Sequence, residues 1–207
     1  MAKIKNIIFD LGAVLFDIDF QKVNQAFADL GVQNIEQQYS KLSANFLFEN
    51  LEMGKISADA FYQTLQAQTD VPLTHQQLEL AWNAILLNFR KESMAFVQQL
   101  HQTHRVFLLS NTNIIHLKQI NLQAKKELSA ERLDDFFEKA YYSFEMGMRK
   151  PDEHIFQYVL KDAELVAEET FFIDDSAPNI ETAAKIGFKT HLLLANEKVE
   201  AITGYHD

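Results

Sequence analysis

An apolar run that stops on a carboxylate and then a glycine constrains this chain most: Ile7-Ile8-Phe9-Asp10-Leu11-Gly12. Short β-branched and aromatic runs of this kind read as strands buried on both faces, as in a parallel sheet. Such a strand delivers the acid that follows it to the carboxyl edge of the sheet, where open α/β folds bind ligands. Many strands end in Asp, so the run alone decides little. Three later segments strengthen it. Val106-Phe107-Leu108-Leu109-Ser110-Asn111 is a second apolar run, ending in a hydroxyl. Gly147-Met148-Arg149-Lys150-Pro151 places a lysine in a turn-forming loop, and Phe171-Phe172-Ile173-Asp174-Asp175-Ser176 is a third run, ending in paired carboxylates.

Apolar runs near 4–9, 105–109, 170–173 and 189–194 predict strands. Helical patterns lie between them. Ser93 to Gln102 carries Met94, Ala95, Val97 and Leu100 on one side. Ile155, Tyr158 and Val159 follow the helix start at Pro151-Asp152. Ala177 to Ile186 runs from Ser176 and Pro178 to a capping Gly187. Alternating strands and helices predict an α/β fold with a doubly wound, Rossmann-like parallel sheet. The stretch from about 20 to 90 differs. Phe20–Leu30, Ile35–Phe48, Ala58–Gln68 and Gln76–Leu87 read as amphipathic helices, punctuated at Gly31, Gly54, Val71-Pro72 and Thr74, with no strand-like run among them. The expected organisation is a core of residues 1–16 and 91–207 with a helical cap, 17–90, inserted after the first strand. Trp82 and Phe46 are expected in the interior of that cap.

The 207 residues are 47% hydrophobic with 17 Phe, enough for a substantial core. Cys is absent, which excludes disulfides and thiol catalysis and fits a cytoplasmic location. No charged-then-apolar segment precedes the first strand and no apolar stretch reaches membrane-spanning length, so neither a signal segment nor a membrane partner is expected. A net charge of −10 argues against nucleic acid and anionic membranes. No obligate protein partner is evident. An anionic small molecule would need a locally positive site, built from a cation and a lysine.

Brought together at one sheet edge, Asp10, Asp174 and Asp175 would repel one another unless a cation sat among them. Oxygen-only ligation completed by water points to Mg²⁺. Asp10 could then attack the phosphorus of an ester to give an aspartyl-phosphate. Ser110 and the backbone N–H groups of Leu11 and Asn111 could hold the other phosphate oxygens, with Lys150 adding positive charge against the transferring group.

In order and spacing these residues resemble the haloacid dehalogenase-like superfamily of hydrolases. Its four motifs look like Phe9-Asp10-Leu11-Gly12, Leu109-Ser110-Asn111, Lys150-Pro151 and Ile173-Asp174-Asp175-Ser176. The resemblance covers the whole chain, inserted cap included. It implies that Asp10 is both nucleophile and metal ligand, that the Gly12 carbonyl and Asp175 bind Mg²⁺ directly, and that Asp174 acts through water. Leu11-Gly12-Ala13-Val14, Asp17-Ile18-Asp19-Phe20, Leu109-Ser110-Asn111-Thr112-Asn113 and Gly147-Met148-Arg149-Lys150-Pro151 look more closely like the bacterial α-D-glucose-1-phosphate phosphatases. The phosphatase domain of soluble epoxide hydrolases is a more distant likeness. Most phosphatases of the superfamily carry a second Asp two residues after the nucleophile, as general acid and base. Here that position is Gly12. A sugar 1-phosphate leaves through an acidic anomeric oxygen and needs less protonation, which is the physical rationale for that branch.

Other readings stay open on sequence. A dehalogenase shares the fold but needs no metal, and its acid pair would then be costly. A phosphonate hydrolase would need a cap lysine, for which Lys41 and Lys55 are available. A mutase is disfavoured by Gly12. A phosphorelay receiver places its acid pair first in the chain and has no cap, and a phosphosugar-binding protein need not keep Asp10. Asp17 and Asp19 read as a turn and a helix N-cap, with a catalytic substitute as the alternative. Arg90 reads as a hinge ion pair, Asn179 as a brace for the acidic loop or a solvent-facing residue, His101 and His104 as solvated, and Lys125-Lys126 as helix surface.

Overall fold

The computed structural model describes residues 3–32 and 46–205. Strands β1 (Asn6–Phe9), β4 (Arg105–Ser110), β5 (Lys139–Tyr142), β6 (Thr170–Asp174) and β7 (Lys189–Leu192) form a parallel sheet in the order β5-β4-β1-β6-β7. Strand β1 is central, with Phe9 opposite Leu108 on one side and Ile173 on the other. The chain builds outward from β1 through β4 and β5, then crosses back to β6 and β7. The carboxyl ends of β1 and β6 therefore flank the point where the winding direction reverses, which opens a crevice.

Successive strand residues face opposite sides of the sheet. Ile7, Phe9, Val106, Leu108, Phe171 and Ile173 share a core with helices α5 (Lys91–Leu100) and α6 (Ile114–Glu127). Ile8, Phe107, Leu109 and Phe172 share a second core with α8 (Glu153–Asp162) and α9 (Ala177–Ile186). A short helix, α7 (Ser143–Met146), follows β5. Both sheet faces are covered, which is why the strands carry continuous apolar runs. Helix α9 has Pro in its first turn and ends on Gly187 at φ 112°, a left-handed cap that a side chain would strain.

The helical insertion has its own core. Helices α1 (Phe20–Asp29), α2 (Leu47–Glu52), α3 (Ala58–Ala67) and α4 (His75–Asn83) bury Val23, Phe27, Leu51, Phe61, Leu65 and Leu78 against one another. Asp19 caps α1, accepting from the Gln21 N–H at 2.9 Å, and Thr74 with Gln77 forms a capping box on α4. Most of the helix expected over 35–48 lies outside the described residues.

Three expectations need correction. A strand does occur before residue 90: β3 (Leu86–Phe89) pairs antiparallel with β2 (Phe16–Ile18). Its apolar residues continue the pattern of α4, and only its partner across the chain makes it a strand. Phe16 and Phe89 lock this ribbon edge to face at 4.7 Å, and Arg90 binds Asp17 at 2.7 Å, the anticipated hinge pair. Strand β5 was not anticipated, because Lys-Ala-Tyr-Tyr has a charged start and no β-branched residue. Phe46 is 60% exposed rather than interior: it sits at the N-terminus of α2 with left-handed backbone, so the helix buries Leu47 and Leu51 instead. Trp82 does pack in the insertion, stacked on Phe48 with ring centroids 5.2 Å apart.

Candidate active site

Asp10 follows directly on β1, its N–H donating to the Ile173 carbonyl at 2.9 Å, so the backbone of β6 holds it at the crevice. Lys150 reaches the same place from the loop after α7. Its Nζ donates to Asp10 Oδ1 at 2.7 Å, to Asp174 Oδ2 at 2.6 Å and to the Leu109 carbonyl at 2.8 Å. Lys150 is 1% exposed, so all three ammonium donors are satisfied by protein. Burial opposes its charge, but the two carboxylates outweigh burial and hold its pKa above the usual lysine value.

Asn111 explains how that lysine is aimed. Its Nδ2 donates to the Lys150 carbonyl and its Oδ1 accepts from the Lys150 N–H, both at 2.9 Å. The Asn111 side chain thus clamps the lysine's backbone, a role the sequence reading did not give it. Ser110 ends β4, buried beside these groups. Ser143, also buried, binds both the N–H and the carbonyl of Thr112 through its Oγ at 3.0 Å, which fixes the loop after Ser110.

Asp174 ends β6 and is fully buried. It accepts from Lys150, from Asn179 Nδ2 at 3.0 Å to each oxygen, and from the Ser176 N–H at 2.8 Å. Asn179 is therefore a brace for the acidic loop. Asp175 opens to solvent beside it. Carboxylate oxygens of Asp10, Asp174 and Asp175 lie within 4.8 Å of one another. Burial, reinforced by the charge of Asp174, pushes Asp10 up to about 7 against the opposing pull of Lys150, and the same two causes raise Asp175. Three mutually repelling carboxylates with one lysine among them still lack positive charge. An all-oxygen donor set of this size suits Mg²⁺, so the residues present fit that ion.

Gly12 lies in the loop after Asp10. A Cβ placed there would meet only the tip of Ile18, at 3.3 Å, and its φ lies outside the left-handed region, so the backbone does not require glycine. Lys55 is exposed on the insertion, and Lys41 lies outside the described residues. His101 is exposed, with Nε2 bound to the Phe136 carbonyl at 2.8 Å. One linkage escaped the sequence reading. Asn113 caps α6, accepting from the Ile115 and His116 N–H groups, and its Nδ2 lies 3.1 Å from His116 Nδ1. His116 Nε2 donates to the Trp82 carbonyl of the insertion at 3.3 Å while its ring stacks on Trp82. Burial lowers the pKa of His116 to about 4, so it works as a neutral strut.

Comparison with known proteins agrees with this geometry. The profile of the haloacid dehalogenase-like hydrolase family matches residues 4–187. A D-ribitol-5-phosphate phosphatase from Bacteroides thetaiotaomicron is 34% identical over 189 residues, covering 90% of each chain. A sesquiterpene phosphatase from Aspergillus oryzae is 28% identical over 193 residues, covering 88% of this chain and 86% of its own. The crystal structure of a family enzyme from Bacteroides thetaiotaomicron in complex with magnesium and inorganic phosphate superposes with a TM-score of 0.87. It is 34% identical, with 95% of this chain and 97% of that one covered.

Proposed function

This chain belongs to the haloacid dehalogenase-like hydrolase family, and from that premise we propose that it is a Mg²⁺-dependent phosphatase of a small polyol or sugar phosphate, working through an aspartyl-phosphate on Asp10. The observation that carries this reading is the Lys150 ammonium held between Asp10 and Asp174 at 2.7 and 2.6 Å, where the sheet changes winding direction. Mg²⁺, held by Asp10, Asp175 and the Gly12 carbonyl, with Asp174 acting through water, supplies the positive charge that neutralises a phosphoryl oxygen. Ser110 and the N–H groups of Leu11 and Asn111 hold the remaining oxygens.

A carboxylate oxygen of Asp10 attacks phosphorus as the ester P–O bond breaks. Lys150 faces the charge that develops, and its three fixed hydrogen bonds mean that it needs no reorganisation. Water then attacks the phosphorus of the aspartyl-phosphate, releasing inorganic phosphate and regenerating Asp10. The helical insertion, taken as residues 17–90, covers the leaving group and excludes bulk water.

The D-ribitol-5-phosphate phosphatase is the reason to favour an acyclic polyol phosphate over glucose 1-phosphate. That preference also weakens the leaving-group rationale for Gly12. A polyol phosphate departs as a primary alkoxide, more basic than an anomeric one, so it needs a proton that glycine at position 12 has no side chain to supply. Phosphate release from ribitol 5-phosphate, glucose 1-phosphate and glucose 6-phosphate, with Mg²⁺ and with EDTA, tests the reading. The expected result is the highest kcat/KM on ribitol 5-phosphate and none with EDTA. Glucose 1-phosphate as the better substrate would overturn the polyol assignment, and release that persists in EDTA would overturn the metal.

A further inference from the structure

Residue 149 has no part in the chemistry above, yet the structure gives it two ionic partners on the inserted helices. Arg149 Nε donates to Glu52 Oε2 at 2.9 Å and Nη1 donates to Glu49 Oε1 at 3.1 Å. The two glutamates sit three apart on α2, so they share one face of that helix and grip a single guanidinium. The side chains are 31%, 28% and 42% exposed for Arg149, Glu52 and Glu49, which makes this a half-sheltered junction rather than a solvated surface pair. Immediately after α2, Gly54 lies against the Phe144 carbonyl of α7 so closely that a Cβ there would collide with it. Two contacts thus press the same stretch of the insertion onto the same stretch of the core.

The position of this junction gives it meaning. Arg149 is covalently next to Lys150, the lysine between Asp10 and Asp174. Burial raises the pKa of Glu52 against the pull of Arg149, and the Lys150 charge is itself close enough to be felt there. On the other side, the insertion joins the core through the β2–β3 ribbon and through the bond from His116 to the Trp82 carbonyl, both next to the chain linkers. Helix α2 lies in the middle of the insertion, far along the chain from either linker. Linkers and strut hold the ends of the insertion to the core, and Arg149 holds its middle, at α2. Lys150 does not depend on the Arg149 pairs for its own placement, because Asn111 clamps its backbone from within the core.

We propose that the Glu49–Arg149–Glu52 cluster is the positioning element that seats the inserted cap over the site, and so governs turnover of esters whose leaving group reaches the cap. It rests on the phosphatase reading for its kinetic arm only. Losing the pairs loosens the closed cap but leaves the core machinery assembled. Phosphoryl donors with a leaving group too small to touch the cap are then turned over as before.

The test is the isosteric pair Glu49→Gln with Glu52→Gln, assayed on ribitol 5-phosphate and on acetyl phosphate. Hydrogen exchange of the α2 and α7 amides is followed in parallel. For ribitol 5-phosphate, KM should rise about tenfold, as expected for losing two partly sheltered ion pairs. Acetyl phosphate should keep its kcat and KM within about twofold, and amide exchange in both helices should accelerate. Arg149→Met should reproduce this pattern without adding to it when combined with the glutamate changes. Equal losses on both substrates, or unchanged exchange in α2 and α7, would overturn the proposal. If the wild-type protein released phosphate from neither substrate, the phosphatase reading would fall, and the exchange measurement alone would still decide whether the cluster seats the cap.

Discussion

Replacing Lys150 with Met removes one cation from between two buried carboxylates and keeps the aliphatic stem. In the intact protein the ammonium satisfies Asp10 Oδ1, Asp174 Oδ2 and the Leu109 carbonyl, and the lysine and Asp174 side chains are 1% and 0% exposed. Breaking a buried pair on one side costs roughly 3–5 kcal/mol, because the remaining charge loses its partner. Here part of that cost is relieved, since Asp10 stands at about 7 even beside Lys150 and takes up a proton once the lysine is gone. The expected net loss at pH 7 is about 2–4 kcal/mol in denaturant unfolding. Turnover should fall further than stability suggests. A fixed charge aimed at the transferring group is worth about 10²–10³-fold. Adding Asp174→Asn to the variant removes the other half of the buried pair, so stability should recover by more than about 1 kcal/mol while activity stays lost. A Lys150→Met protein within about 1 kcal/mol of wild type that still releases phosphate would refute the reasoning.

Asn179→Ala removes the amide that donates to both oxygens of the fully buried Asp174 carboxylate. It should cost about 1.5–3 kcal/mol in thermal or urea unfolding, with reduced phosphate release. Gly12→Ala should fold with a loss under about 1.5 kcal/mol, since the added methyl meets only the movable end of Ile18. His116 has a folded pKa lowered to about 4, so between about 6.5 and 4 the unfolded chain binds a proton that the folded one refuses. Its stabilising contribution is whole above about pH 6.5 and is lost as pH falls, by roughly 1.4 kcal/mol per unit, and urea unfolding of His116→Gln should show a correspondingly flatter pH dependence over that range.

The sheet was legible because β1, β4 and β6 are buried on both faces, and burial writes itself into sequence as an unbroken apolar run. The acids and the lysine were legible because they sit at the ends of those runs or beside a turn. Strands β3 and β5 were hidden. Each is four residues long, and its identity depends on pairing with Phe16–Ile18 or with β4 rather than on its own composition. The roles of Asn111 and His116 and the cluster around Arg149 were hidden for a related reason. Each joins segments far apart in the chain, and nothing at residues 49 or 52 announces a partner at 149. Asn179 was recognisable as a candidate brace only because it follows the acid pair within one helical turn.

The most direct test traps the covalent intermediate. The protein is mixed with Mg²⁺ and ribitol 5-phosphate, quenched in acid, treated with borohydride and mapped by peptide mass spectrometry. An acyl phosphate on Asp10 would appear as a side chain reduced at position 10 and nowhere else, and the mark would be missing from Asp10→Asn. Phosphate released steadily with position 10 unmarked, or with the mark on Asp174 or Asp175, would contradict attack by Asp10.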